Sequence, residues 1–138
     1  MDGLTVIVLD THVLVWWVSG LTQALSPTAL QAVEKELQGG GRILVSCITA
    51  WEIAMLVAKG RLVLSMDVAT WLATVGELEP MRFVPVDNEI AVKSVELPGS
   101  MPKDPADRII VATARRYGAP LVTQDAALLA YPHVRTIA

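Results

Sequence analysis

Short apolar runs alternate with longer amphipathic stretches along the whole chain. Five of the runs are rich in Val, Ile or Leu and predict strands at 5–9, 43–46, 83–86, 121–123 and 134–137. Continuous apolar runs of this kind are typical of strands that are covered on both faces. Strands that alternate with helices indicate βαβ units. The pattern therefore predicts an α/β fold with three layers, in which helices flank a five-stranded, mostly parallel sheet.

Capping residues, prolines and glycines indicate where several helices begin and end. Ser26-Pro27 predicts the start of a helix over 28–37, and the glycines at 39–41 predict its end. Thr49 is expected to cap a helix that runs to residue 59. Further helices are expected over 68–75, 89–96 and 105–117, after Asp67, Asp87 and Asp104. No repeat or interdomain linker interrupts the pattern, so one domain over residues 1–138 is expected.

Composition narrows the class of protein. Cys47 is the only cysteine among 138 residues, which excludes an intramolecular disulfide and argues against a thiolate metal site. A net charge of −3 gives no global reason to bind nucleic acid, so such binding needs a local patch. The most apolar stretch, 4–18, is interrupted at Asp10-Thr11-His12 and is too short to span a membrane. The first three residues lack the basic region of a signal peptide, so a cytoplasmic protein is expected.

Four acidic residues lie next to predicted strand ends or helix starts. Asp10 and Asp125 follow the first and fourth strands, Glu52 lies in the helix after the second strand, and Asp107 lies in the first turn of the helix before the fourth. Sites in open α/β sheets form beyond the carboxyl ends of the strands. If the first strand lies between the second and the fourth, three of these acids reach one edge together, and Asp107 would have to reach that edge from a helix start. Charges in apolar surroundings need partners, and few cations are near in the sequence, which points to a metal ion.

The chemistry of four carboxylates favours a hard divalent cation. Clustered carboxylates repel one another, and a cation removes that conflict. A donor set without His or Cys favours Mg²⁺ or Mn²⁺ over Zn²⁺. Local roles are also open: Asp10 and Asp125 could cap helices, Glu52 could complete a capping box with Thr49, and Asp107 could interact with a helix dipole. These local roles do not explain why all four acids fall at one predicted edge.

The ordered set of motifs resembles the PIN-domain family, and within it the VapC-type toxins of bacterial toxin–antitoxin pairs. The motifs are Val8-Leu9-Asp10-Thr11-His12-Val13-Leu14-Val15-Trp16, Trp51-Glu52-Ile53-Ala54, Lys59-Gly60-Arg61-Leu62, Asp104-Pro105-Ala106-Asp107-Arg108 and Leu121-Val122-Thr123-Gln124-Asp125. The resemblance implies a five-stranded parallel sheet, RNA cleavage that depends on Mg²⁺ or Mn²⁺, a homodimer and inhibition by a cognate antitoxin. It also implies that Asp10, Glu52 and Asp107 are the three core acids and Asp125 the more variable fourth. Pro102 stands where relatives often carry a histidine.

Other residues are assigned less specific roles. Arg108 is the best candidate for a contact with the RNA backbone, since it adjoins Asp107. Thr11 and Thr123 are candidates at the substrate site that could orient a carboxylate or a water, or make only backbone hydrogen bonds. The four tryptophans are expected in the core or at an interface rather than as platforms for base stacking. Trp16 and Trp17 are consecutive on a helix and cannot face the same way, so one of them is expected to contact a partner subunit.

These observations favour a metal-dependent endoribonuclease in which water activated by the metal hydrolyses the phosphodiester without an enzyme-bound intermediate. A PIN-like module that binds RNA or protein without catalysis is the alternative. A phosphatase with an aspartyl nucleophile would need a second Asp two residues after Asp10, where the chain has His12. A phospho-accepting receiver would need paired acids at the first strand, and Leu9-Asp10-Thr11 lacks them.

Overall fold

A five-stranded sheet forms the centre of the computed structural model, which describes residues 5–138. Its strands are β1 Val6–Leu9, β2 Arg42–Ser46, β3 Met81–Val84, β4 Leu121–Val122 and β5 Thr136–Ile137. The order is β3-β2-β1-β4-β5, and every neighbouring pair is parallel. Each strand predicted from the sequence is present, with ends displaced by one or two residues. The predicted fold class is confirmed.

Within residues 5–138, seven α-helices connect and cover the strands. They are α1 Thr11–Val18, α2 Pro27–Gly39, α3 Ile48–Ala58, α4 Val68–Gly76, α5 Asn88–Val95, α6 Pro105–Arg116 and α7 Ala126–Ala130, with a 3₁₀ turn at Thr22–Ala24. The predicted caps of α2, α4 and α5 are present: Ser26, Asp67 and Asp87 each accept a hydrogen bond from the backbone N–H three residues later. Gly40 ends α2 with a φ of 75°, a left-handed conformation that glycine adopts without steric cost.

The start of α3 differs from the sequence-based prediction. Cys47 occupies the N-cap position and makes no side-chain capping hydrogen bond. Thr49 is not the cap but lies buried inside the first turn, where its hydroxyl contacts the hydroxyl of Thr11. The prediction was wrong because a threonine near a helix start is read as a cap, whereas here a contact across 38 residues uses its hydroxyl.

The sheet separates two apolar cores. Leu9 faces the core that includes Leu14 on α1 and Ile53 on α3, whereas its neighbour Val8 faces the core that includes Ile110 on α6. Successive side chains of a strand point to opposite faces, so β1 contributes to both cores. Burying each such side chain stabilises the fold by roughly 1.5–3 kcal/mol. The central position of β1 places the residue that follows it, Asp10, in the middle of the carboxyl edge.

The tryptophans have different environments. Trp71 is 4% exposed and belongs to the core of α1 and α3, as predicted. Trp16 and Trp17 are half-buried and pack against the same core. Trp51 is 56% exposed, so it is not a core residue. Whether Trp16, Trp17 or Trp51 contacts a partner subunit stays a prediction.

The sequence-based expectations about a signal peptide and about a membrane-spanning segment concern different parts of the chain. Residues 1–3, from which we predict the absence of a signal peptide, lie outside the described residues. Within residues 5–138, no helix combines the length and the apolar character that crossing a bilayer requires.

Candidate metal centre

Asp10 lies at the centre of the carboxyl edge, held by donors from two strand ends. It follows β1 directly and caps α1, and its Oδ1 accepts from the backbone N–H of Thr11 at 2.8 Å. Its Oδ2 accepts from the hydroxyl of Thr123, just after β4, at 2.7 Å. The capping role considered from the sequence is therefore real, and it fixes the carboxylate at this edge without using all of its lone pairs.

Glu52 is joined to Asp10 through Thr11. The Thr11 hydroxyl donates to Oε1 of Glu52 at 2.6 Å and lies 2.9 Å from the hydroxyl of Thr49. A hydroxyl carries one hydrogen, so Thr11 donates to the carboxylate and accepts from Thr49. The capping-box interpretation of Glu52 is wrong, because Thr49 does not cap α3 and the Glu52 carboxylate contacts α1 instead.

Asp107 and Asp125 are each brought to this edge by a helix start. Asp107 is half-buried in the first turn of α6, whose N-cap is Asp104. Asp125 is exposed and caps α7 by accepting from the N–H groups of Ala127 and Leu128. Asp107 and Asp125 line one cleft of about 430 Å³, and Asp10 and Asp125 line a second of about 240 Å³. Asp125 is thus a shared wall between two clefts.

The acids form one electrostatic group. Burial raises the pKa of Asp107 to about 7, and repulsion from Asp104, Asp10, Asp125 and Glu52 contributes to that increase. Burial also raises the pKa of Asp10 and of Glu52, although the hydrogen bonds from Thr123 and Thr11 partly oppose it. Carboxylates that raise one another's pKa are close enough to compete for a proton or to share a cation.

No Lys or Arg side chain forms an ion pair with these acids in the described part of the chain, although His12 lowers the pKa of Asp10 and of Glu52 slightly. The ion pairs among residues 5–138 join Arg82 to Glu79 and Arg116 to Glu89, and neither includes an acid of the cluster. Arg108 donates through Nε to the carbonyl of Pro102. This bond shapes the loop before α6.

The donor set fits a hydrated Mg²⁺ or Mn²⁺ ion. Within residues 5–138, no three His, Cys, Asp or Glu side chains are close enough together to enclose a metal ion by themselves. Mg²⁺ keeps several waters and binds through one or two carboxylates together with substrate oxygens, so it does not require a closed cage. Oxygen donors alone, with raised pKa values and no paired cation among the described residues, are compatible with such an ion and unsuited to a structural zinc site.

The hydroxyls of Thr11 and Thr123 orient carboxylates. Both residues are buried, and Thr123 also accepts from the backbone N–H of Asp125 at 3.1 Å. Sequence reasoning assigned no role to Gln124, which lies between Thr123 and Asp125. Its Oε1 accepts from the N–H of Ser26, and its Nε2 donates to the carbonyl of Ala24. The only signal was a third polar residue in the run that follows β4.

Comparison with known proteins agrees with this architecture. The sequence matches the PIN domain family over residues 7–134. It is 38% identical over 134 residues to Ribonuclease VapC22 of Mycobacterium tuberculosis, which covers 97% of this chain and 98% of the relative.

Solved structures with the same fold include toxin–antitoxin proteins. VapBC2 from Rickettsia felis, bound to a promoter DNA fragment, has a TM-score of 0.66 at 15% identity, covering 96% of this chain and 97% of that one. DNA-bound VapBC from Salmonella typhimurium has a TM-score of 0.61 at 21% identity, covering 96% of both chains. The fold, the order of the motifs and the sequence match together show that the chain belongs to the PIN-domain family.

Proposed function

We propose that this protein is a metal-dependent endoribonuclease that acts as the toxin of a toxin–antitoxin pair. The observation that carries the proposal is the 38% identity with Ribonuclease VapC22 over nearly the whole of both chains. The cluster of acids at the carboxyl edge supports it, because carboxylates with raised pKa values suit a divalent cation. The domain is proposed to span residues 1–138.

Asp10, Glu52, Asp107 and Asp125 would hold the cation, Mg²⁺ or alternatively Mn²⁺. When bound, such an ion lowers the pKa of water and stabilises negative charge that develops on a phosphate. The hydroxyls of Thr123 and Thr11 donate to the carboxylates of Asp10 and Glu52 and so orient them before substrate binds.

Asp107 holds a proton over part of the neutral pH range and can release it when positive charge enters the site. Water would attack phosphorus and lose a proton to a nearby carboxylate or to solvent, while the bond to the leaving ribose oxygen breaks and that oxygen takes up a proton from solvent. The proposed reaction has no covalent intermediate, because the two hydroxyls beside the acids are buried, out of reach of a phosphodiester. Arg108 is proposed to contact the RNA backbone once the loop before α6 meets its substrate.

The proposed partners are an RNA substrate, a cognate antitoxin and a second copy of the chain in a cytoplasmic homodimer. Support for the antitoxin comes from the similar solved structures, which are described as VapBC proteins and as a toxin–antitoxin complex from Klebsiella pneumoniae. Exposed apolar side chains on and after α3, such as Trp51 and Val63 at 56% and 89% exposure, offer surface that a protein partner could cover.

The test is cleavage of structured RNA by the purified chain, freed of any co-purifying partner, with Mg²⁺, with Mn²⁺ and with EDTA. Asp10→Asn removes a site charge, and Asp87→Asn is the matched control because Asp87 caps α5 as Asp10 caps α1. Metal-dependent cleavage that is lost in Asp10→Asn and kept in Asp87→Asn supports the proposal.

Two results would count against it. Cleavage that persists in Asp10→Asn places the activity in another site or another protein. Absence of cleavage across transfer, ribosomal and messenger RNA favours the alternative of a binding module without catalysis.

A further inference from the structure

The smaller of the two clefts beside the acids includes several lining residues that have no role in the proposed cation chemistry. It is about 240 Å³ in volume and lies between α1 and the segment that follows β4. Asp10 and Asp125 form its border with the metal centre. The rest of its wall is formed by His12, Val13, Trp16 and Gln124.

Two aromatic rings form one side of this cleft. His12 and Trp16 are four residues apart on α1 and therefore lie on the same face of the helix. Their ring centroids are 5.6 Å apart, with an angle of 44° between the ring planes. His12 is exposed and Trp16 is half-buried, so both rings are partly open to a ligand. Trp17 is turned about 100° further around the helix and does not line the cleft.

A fixed amide forms the opposite side. Gln124 accepts from Ser26 at 2.9 Å and donates to Ala24 at 3.2 Å, which holds its side chain in one orientation. A carboxamide has two donor hydrogens and two acceptor lone pairs, so it keeps one of each for a further partner. The cleft thus combines flat rings with a donor and an acceptor at a defined place.

We propose that this cleft binds an unpaired RNA nucleobase adjacent to the scissile phosphate, an inference that rests on the proposed function. Proteins read single-stranded RNA by stacking its bases on aromatic side chains and by hydrogen bonding to their edges. Trp16 supplies the stacking surface with His12 beside it, and Gln124 supplies the edge contacts. Because Asp10 and Asp125 line the same cleft, a base bound here brings its own phosphate to the acids.

The size and chemistry of the two clefts support this assignment. A volume of about 240 Å³ is below the usual range for small-molecule pockets, which suits a group about the size of one base. The larger cleft is lined mainly by charged, polar and small apolar residues, including three carboxylates and Lys103. Its one aromatic residue, Tyr131, is buried with its hydroxyl bound to the Pro98 carbonyl, so it offers no open ring for stacking. Base recognition is therefore assigned to the Trp16 cleft. The assignment departs from the sequence-based expectation that tryptophans serve only in the core or at an interface.

The first experiment compares cleavage of a random-sequence RNA pool by wild type, Trp16→Ala, Trp16→Phe and Trp17→Ala with Mg²⁺, by sequencing the cut ends. Wild type is expected to prefer certain bases at a position next to the cut. Trp16→Ala should lose that preference and cleave about tenfold more slowly, as expected when one stacked base loses its platform. Trp16→Phe, which keeps an aromatic ring, and Trp17→Ala, the matched control, should retain the preference.

A second experiment does not require cleavage. The four nucleoside 5′-monophosphates are titrated into protein with ¹⁵N-labelled indoles in EDTA, and the Trp16 signal is identified with Trp16→Phe. A saturable shift of the Trp16 signal, larger than the shifts of the other three, supports the base site. A Trp16 signal that does not move would overturn it, as would an unchanged base preference in Trp16→Ala. If wild type cleaves no RNA, the proposed function fails, and the indole shift still decides whether a nucleobase binds here.

Discussion

Asp107→Asn tests whether burial and mutual repulsion govern the carboxylates of the metal-free protein. The pKa of Asp107 is raised from 3.8 to about 7 in the folded protein. Between these values the folded chain holds a proton that the unfolded chain has lost. The free energy of unfolding of wild type therefore falls as pH rises through this range and levels off above pH 7. Asp10 and Glu52 contribute in the same direction, because burial raises their pKa values as well.

The size of the effect follows from the part of the shift that lies above pH 5, where unfolding can be measured without extensive acid damage. Two pH units correspond to about 3 kcal/mol without screening. Asp107 is half-exposed, and solvent screening reduces this to about 1.5 kcal/mol. Wild type should accordingly lose about 1.5 kcal/mol more than Asp107→Asn between pH 5 and pH 8. Adding Mg²⁺ should remove most of this difference, since an ion that binds only the folded chain stabilises it.

The assay is urea unfolding in EDTA at pH 5, 6, 7 and 8, followed by tryptophan fluorescence. Asp67→Asn serves as a control of opposite sign, because hydrogen bonds from Thr70 lower the pKa of this exposed carboxyl. The stabilisation from Asp67 is present above its unfolded pKa and is lost only as pH falls, so Asp67→Asn should follow the wild-type slope above pH 5. Equal slopes for wild type and Asp107→Asn would refute the reasoning.

Three further substitutions test hydrogen bonds near the site and packing at the opposite edge of the sheet. Thr11→Val should destabilise the fold by about 1–3 kcal/mol and lower RNA cleavage, because the carboxylate of Glu52 loses its hydrogen-bond donor. Thr11→Ser keeps the hydroxyl and should retain both wild-type stability and cleavage. Urea unfolding measures the first effect and the RNA cleavage assay the second. Tyr131→Phe should cost about 1 kcal/mol through loss of the bond to the Pro98 carbonyl, and an unchanged unfolding midpoint would contradict that. Gly41→Ala should cost about 1–3 kcal/mol, since its Cβ would clash with the Glu36 carboxylate and lie 2.6 Å from the Thr5 carbonyl oxygen. A thermal melt equal to that of wild type would show that both contacts relax freely.

Local sequence patterns correctly predicted the strands of the sheet and several helix starts. The apolar runs identified all five strands, and the carboxyl ends of parallel strands share an edge, so the placement of Asp10 and Asp125 could be expected. Helix starts at Ser26, Asp67 and Asp87 were also predictable, because a cap depends on residues three positions apart.

Features that depend on residues far apart in the chain could not be predicted in this way. The link from Thr49 through Thr11 to Glu52 spans 38 and 41 residues, and no periodicity encodes it. The same limit applies to Trp16 and Trp51, because hydrophobicity alone does not distinguish a buried ring from one that faces a cleft or solvent. Local sequence rules predicted that Thr49 caps α3, whereas in the folded protein its hydroxyl contacts the hydroxyl of Thr11.

The acids of the candidate site come from widely separated parts of the chain, and this has a consequence for biosynthesis. Asp10 receives its Thr123 hydrogen bond from a residue 113 positions later, and β1 acquires its β4 neighbour only after Leu121 has been made. Pairing of such distant segments cannot precede the synthesis of the later one. A nascent chain that ends before residue 125 therefore carries Asp10 and Glu52 without Asp125. If the protein cleaves RNA, its own messenger and the ribosome that translates it are exposed to a complete site only after Asp125 has been synthesised and has folded into place.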